Sequence, residues 1–164
     1  MCGIIAVVRR PSTRETPTAA AVIDLVAEQA ARMAPGTPDL SDALTDVGRH
    51  LAEADALLRG VPGLRLMLAD DGLGPALIHH CDEILAAVAA EEERLERDSG
   101  LATAEVERRN QALISVRDGV WAITRDRLRA AQVVADLSGG ARTTGTLEAF
   151  LSVHQALSAI NRLE

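Results

Sequence analysis

The first residues of the chain contain a nucleophile that could use its own backbone amine as a base. The sequence begins Met1-Cys2-Gly3-Ile4-Ile5, and a small second residue ordinarily allows removal of the initiator methionine. Cys2 would then carry a free α-amine, whose reference pKa of about 7.7–8.0 lets it accept the thiol proton. The thiolate is the attacking species. We therefore predict that Cys2 is a catalytic nucleophile and, through its amine, the general base. If Met1 is retained, the amine is acylated and cannot act as the base.

A short β-branched run would anchor this cysteine on a rigid element. Residues 1–8 include Ile4, Ile5, Val7 and Val8, a pattern that predicts a buried strand. Residues 9–16 are polar and contain Pro11, so they are predicted to be a linker.

The opening resembles the class II glutamine amidotransferases, N-terminal-nucleophile enzymes whose mature chains begin Cys-Gly-Ile. In that family the cysteine attacks the carboxamide of glutamine, forms a thioester and releases ammonia. The ending Arg162-Leu163-Glu164 is similar to the branch that includes glutamine–fructose-6-phosphate aminotransferase, in which such a helix runs into an Arg-Gly-x-Asp-Ser-Ala-Gly motif. The resemblance implies glutamine and a sugar phosphate as substrates, an amino sugar phosphate as product, and no cofactor.

The same resemblance implies that the chain contains two pieces of an interrupted catalytic domain. Residues 1–8 correspond to its first strand and residues 147–164 to a helix that leads back into it, while residues 17–146 form a helical-bundle insertion. The family's oxyanion-hole and substrate-binding residues would lie beyond Glu164. Because a site without oxyanion donors loses its largest electrostatic contribution, we expect the 164-residue chain alone to be inactive.

The composition predicts a helical protein. The chain has 29 Ala and 21 Leu among 164 residues, and Trp121 and Phe150 are its only aromatic residues. This excludes an all-β sandwich or barrel, while the apolar content excludes a disordered chain. The fold class predicted is mainly α, an antiparallel bundle of about five helices after one short strand. Apolar spacing predicts a short helical turn over 64–69, a long helix over 103–137 that is either continuous or broken near Gly119, and helices over 17–34, 38–60, 75–98 and 146–163.

Charge and targeting patterns exclude several kinds of partner. Acidic residues outnumber basic ones 24 to 17, for a net charge of -7, which disfavours nucleic acid. The run Gly3 to Val8 is too short for a signal peptide, and its arginines follow it. No apolar stretch approaches the roughly 20 residues that span a bilayer. We therefore expect a cytoplasmic protein that does not bind membranes.

Other clusters are predicted to be structural. His79-His80-Cys81-Asp82-Glu83 offers metal-ligating side chains, but on a helix Cys81 points away from His79 and Glu83. We predict surface histidines, a core cysteine and no metal. Trp121 is predicted to be a core or interface anchor. The acidic run 91–93 is predicted to be solvated, and ion pairs are predicted for the arginines at 108, 109, 125, 127 and 129.

A second interpretation stays open beside the amidotransferase. The chain is then a non-enzymatic helical-bundle module for interaction or oligomerisation, in which Cys2 has no chemistry. An exposed strand at Gly3 to Val8 disfavours this alternative, because a lone edge strand promotes aggregation. In both interpretations the bundle is a candidate for homo-oligomer contacts.

Overall fold

The structure is a computed structural model that describes residues 13–33 and 40–137, with the side chains of 13–33 and 43–136. The elements in this part are α1 (Ala19–Arg32), α2 (Leu40–Leu58), α3 (Gly60–Ala69), α4 (Leu73–Arg97), α5 (Thr103–Trp121), a π-helical segment (Ala122–Leu128) and α6 (Arg129–Leu137). They confirm the prediction of a mainly helical protein. The predicted strand over 1–8 and the predicted helix over 146–163 lie outside the described residues.

Local sequence signals explain where the first helices begin. The side chain of Thr18 accepts a hydrogen bond from the backbone N–H of Ala21 at 3.2 Å, so Thr18 is the N-cap of α1. The helix predicted to begin at residue 17 therefore begins two residues later, at Ala19. The predicted turn over 64–69 is a longer helix, α3, which begins at Gly60. Gly60 has a φ of 69°, a conformation that glycine adopts without steric cost.

Helices α1, α2, α4 and α5 form a bundle in which α1 and α5 each contact both α2 and α4. The apolar stripes that the sequence predicts face the centre of this bundle, where dispersion and loss of water contact stabilise the fold. The fully buried residues include Val22, Val26, Leu44, Leu51, Leu77, Cys81, Ile84, Val88, Val116 and Ile123.

Glycines let α2 and α5 pack closely. A Cβ atom on Gly119 would lie 2.7 Å from the Cβ atom of Leu51, and one on Gly48 would lie 2.8 Å from the Oγ atom of Ser115. The missing side chains therefore bring the two backbones together at two levels. This close approach explains how the bundle fills its core without aromatic residues.

The chain enters the bundle at the C-terminal end of α2 and returns there before α6. Arg14, in the predicted linker, donates to the carbonyl of Ala56 at 2.7 Å and also to the carbonyls of Leu57 and Arg59. Arg127, in the π-helical segment, binds the carboxylate of Asp55 in the same turn of α2. The helix that follows, α6, contacts α3, which begins directly after α2.

None of the described helices combines the length and the apolar character that crossing a membrane requires.

Candidate docking groove

The predicted nucleophile Cys2 lies outside the described residues, as do both segments that carry the family resemblance. Its catalytic role therefore stays a prediction. The described bundle contains one candidate site that the sequence did not reveal, an elongated groove of about 930 Å³.

The groove runs between α3 and α4 on one side and the continuous helix from α5 to α6 on the other. Its deepest residues are buried and include Leu68, Val120 and Ala131. Its walls carry apolar side chains that remain open to solvent: Trp121 is 62% exposed, Ile78 46% and Leu85 38%. Exposed apolar side chains that line one concave surface are typical of a binding site. We refer to this surface as the apolar groove.

A π-helical segment shapes one wall of the groove. It spans Ala122–Leu128, seven residues, inside a helix that is otherwise regular from Thr103 to Leu137. Such segments are rare and occur frequently at functional sites. The segment turns Ile123 into the core and Arg127 toward α2, while Arg125 and Leu128 line the groove. The sequence-based alternative of a break near Gly119 is wrong, because the helix continues through that residue.

Trp121 is the largest side chain on the wall of the groove. Its ring lies under the guanidinium group of Arg125, with 5.6 Å from Arg125 Cζ to the ring centroid, a distance typical of a cation–π interaction. This contact leaves most of the indole open to solvent, so Trp121 is not a core residue. The other half of its prediction, that it anchors an interface, stays a prediction.

Charges of opposite sign line the two walls. The α3–α4 side carries Asp70, Asp71 and Asp82, whereas the α5–α6 side carries Arg117, Arg125 and Arg129. Arg117 binds Glu92 of α4, which links the two walls. Asp70 accepts hydrogen bonds from the backbone of Gly72 at 2.9 Å and of Leu73 at 3.2 Å, and these bonds set the turn into α4.

The histidine cluster on α4 lies at the surface. His80 Nδ1 lies 2.9 Å from Glu83 Oε2, and His79 Nε2 lies 3.6 Å from Glu83 Oε1. The hydrogen bond from His80 lowers the pKa of the Glu83 carboxyl. The candidate ligand atoms of His79, His80 and Glu83 all lie within 4.8 Å of one another, so these three side chains could hold a metal ion, and the expectation of no metal here stays a prediction.

Cys81 lies between those histidines in the sequence but faces the core, as predicted. Burial, together with the neighbouring charge of Asp82, raises the pKa of its thiol to about 12. Because metal ligation and nucleophilic attack both need the thiolate, Cys81 is unsuited to either role.

The structure contradicts the prediction for Glu91 and confirms in part the prediction of ion pairs along the long helix. Glu91 was predicted to be solvated, yet it is only 4% exposed, because Arg94 and Arg109 cover its carboxylate. Arg109 lies on α5, so this pair joins α4 to α5. The predicted ion pairs of the long helix are present at Arg108 and Arg109, which both bind Glu105, and at Arg127, which binds Asp55. Among the described side chains Arg125 and Arg129 form no ion pair, so for these two the prediction is wrong.

Comparison with protein-family models, with curated proteins and with solved structures finds no match to this chain. The groove and the sequence at the two ends of the chain are therefore the observations from which a function can be argued.

Proposed function

We propose that this chain is the N-terminal part of a class II glutamine amidotransferase, into which a helical bundle is inserted after the first strand of the catalytic core. Cys2 is its nucleophile. Ammonia from glutamine passes to a sugar phosphate such as fructose 6-phosphate, which becomes an amino sugar phosphate. The residues Cys2-Gly3-Ile4 and Arg162-Leu163-Glu164 support this assignment by their resemblance to the family.

The observation that carries the insertion is the position of the two connections to the bundle. Arg14, on the entering segment, and Arg127, ten residues before the end of α6, both bind the last turn of α2. An inserted domain needs its entry and exit near one another, because otherwise it would separate the two pieces of the domain that it interrupts. The contacts of Arg14 and Arg127 with the same turn of α2 support an insertion, as does the hydrophobic core that the bundle has of its own.

The chemistry proposed for Cys2 is an acyl transfer in two steps. The α-amine accepts the thiol proton, and the thiolate attacks the carboxamide carbon of glutamine. The C–N bond then breaks, the ammonium group returns a proton to the leaving nitrogen, and ammonia departs as a thioester forms. Water hydrolyses the thioester to glutamate and regenerates the thiol.

The gene sequence after the codon for Glu164 and the activity of the complete gene product test this proposal. We expect the reading frame to continue with Arg-Gly-x-Asp-Ser-Ala-Gly, and we expect the gene product to release ammonia from glutamine. Cys2→Ala should abolish ammonia release, whereas Cys81→Ala, the matched control, should retain it. A stop codon after Glu164, or activity that survives Cys2→Ala, would contradict the proposal.

A second function is favoured by the apolar groove. The two walls of this groove expose the apolar side chains of Trp121, Ile78 and Leu85. A concave apolar surface of this kind fits a helix or another folded chain. In this proposal the bundle is an interaction module. The two functions are compatible, because an inserted bundle of an enzyme can also bind a partner.

A further inference from the structure

We propose that a second copy of this chain covers the apolar groove and that the two copies are related by a two-fold axis running along it. This inference deepens the second proposal, interaction through the groove, and does not involve Cys2. Its starting point is the apolar surface of Trp121, Ile78 and Leu85, which a stable fold in water does not leave open without cost.

The charges along the groove identify the occupant. All three acidic side chains of the lining lie on the α3–α4 wall and all three arginines lie on the α5–α6 wall. A two-fold axis parallel to the groove places the acidic wall of each copy against the basic wall of the other. The surface is therefore complementary to itself, which is the requirement for an isologous interface. A purely acidic or purely basic partner would be repelled by one of the walls.

The antiparallel register of α4 and α5 shows which charges would meet. The ion pair between Glu92 and Arg117 fixes two opposite points on these helices. Asp82 lies ten positions before Glu92 and Arg125 eight positions after Arg117. At about 1.5 Å per residue, both lie roughly 12–15 Å from the ion pair toward the same end of the groove.

Asp82 of one copy would therefore face Arg125 of the second copy, and the symmetry would form this contact twice. Within residues 13–33 and 43–136, neither Asp82 nor Arg125 forms an ion pair, so each carboxylate and guanidinium group is available to the other chain. Trp121 precedes Arg125 by one turn, so the two indoles would lie near the centre of the interface. Tryptophan is enriched at such positions, where it contributes strongly to binding.

The full chain tests the dimer directly. Sedimentation equilibrium from the micromolar to the millimolar range should show a mass twice that of the chain at high concentration. Because Trp121 is the only tryptophan, its fluorescence reports on the groove alone. Emission should shift to shorter wavelength and acrylamide quenching should fall as the dimer forms, with the same midpoint as the change in mass.

Charge reversal tests the symmetry. Asp82→Arg and Arg125→Asp should each raise the dimer dissociation constant by on the order of tenfold or more, because each places two pairs of like charges across the interface. An equimolar mixture of the two variants should form heterodimers of near wild-type affinity, because both contacts then join opposite charges. Asp46→Arg and Arg32→Asp, on exposed faces of α2 and α1, are the controls and should not change association. Circular dichroism verifies that each variant is folded.

Three results would overturn the proposal. A chain that stays monomeric up to millimolar concentration has no such dimer. A dimer that both reversals leave intact, or that mixing fails to restore, uses another surface. A monomer whose groove takes up an amphipathic helical peptide, detected by a blue shift of Trp121, would retain the interaction module but exclude self-association as its use.

Discussion

Arg127 crosses from the π-helical segment to α2 and donates from Nε to Oδ1 of Asp55 at 2.7 Å, although the two residues are 72 positions apart in the chain. Asp55 is 2% exposed, and its other oxygen accepts a hydrogen bond from Arg59 Nε, also at 2.7 Å. The buried carboxylate therefore joins the π-helical segment to the end of α2. This contact holds one side of the long helix, so that Trp121 and Arg125 can face the groove on the other.

Removal of the Asp55 carboxylate should destabilise the bundle. In Asp55→Ala the guanidinium of Arg127, which is 27% exposed, loses its partner. We expect the free energy of unfolding to fall by about 2–3 kcal/mol, less than for a fully buried pair because water still reaches the arginine. Urea unfolding followed by circular dichroism measures the change. Asp46→Ala, which breaks an exposed pair with Arg49, should cost less than about 1 kcal/mol. Equal losses in both variants would contradict the role of burial.

Two glycine substitutions should have different effects although both place a methyl group between α2 and α5. Gly119→Ala forces its Cβ against the Cβ of Leu51, which is fixed in the core. We expect a loss of about 1–3 kcal/mol in the free energy of unfolding from overpacking.

Gly48→Ala is the matched comparison, because its Cβ meets the Oγ of Ser115, a small group that can rotate away. The higher helix propensity of alanine, about 1 kcal/mol over glycine, then offsets much of the contact. Thermal and urea unfolding should leave Gly48→Ala near the wild type. A larger loss at Gly48 than at Gly119 would show that this account of the α2–α5 contact is wrong.

The stability of the bundle should fall in alkaline solution because of Cys81. Its thiol has a pKa of about 12 in the folded chain, raised by burial, against 9.0 for the unperturbed group. The unfolded chain thus loses this proton first as the pH rises. The protonated thiol of Cys81 makes its full contribution to the free energy of unfolding below pH 9. Between pH 9 and 12 this contribution falls by about 1.4 kcal/mol per pH unit.

The amino-acid composition allows the effect of Cys81 on the pH dependence of stability to be measured with little interference from other groups. The chain has no Lys and no Tyr, so other side chains that titrate between pH 9 and 12 are nearly absent. The free energy of unfolding should be measured in a Cys2→Ser background, where the slope belongs to Cys81. Cys81→Val should remove the slope while keeping an apolar side chain in the core. A slope that persists in that variant must come from another group.

Replacement of Gln29 by Met should stabilise the fold. Gln29 is fully buried in the bundle; its Nε2 donates to the carbonyl of Leu25 at 2.9 Å, whereas its Oε1 has no hydrogen-bond partner within the described residues. A buried acceptor without a partner costs about 1–3 kcal/mol, more than the one bond that Gln29→Met would lose. We expect a gain of about 1 kcal/mol in urea unfolding. Gln132→Met, at an exposed position, should change little, and a loss at Gln29 would indicate that its Oε1 has a partner in the folded chain.

Apolar periodicity predicted most of the helices correctly because burial along one face needs only the spacing of side chains. It placed α1, α2 and α4 within about two residues of their observed bounds, and it placed Cys81 in the core. Ile78 and Leu85 follow the same apolar spacing along α4, but the bundle buries only the row that includes Leu77 and Ile84. The apolar side chains of α4 cover a wider arc of the helix than contact with one partner helix would bury. This extra width was the sign of the groove in the sequence.

The π-helical segment and the burial of Glu91 could not be read from the chain in the same way. Residues 122–128 contain no glycine or proline and π-helical segments are rare, so nothing in the sequence gives a reason to expect i+5 hydrogen bonding there. Glu91 belongs to a charged run that is typical of a solvated face, and only the approach of Arg109 from α5 removes it from water. The burial of Glu91 therefore depends on a neighbouring helix rather than on local spacing.

Residue type, spacing and order along the chain were sufficient to predict the helical class and the positions of the main helices, and they are the basis of the proposal that Cys2 is a nucleophile. Three relationships became visible only in the assembled bundle: the contact between Asp55 and Arg127, the approach of α2 and α5 at Gly48 and Gly119, and the opposite charges on the two walls of one groove. These relationships join residues far apart in the chain, and their energies arise from packing and solvent exclusion that exist only after the helices have assembled.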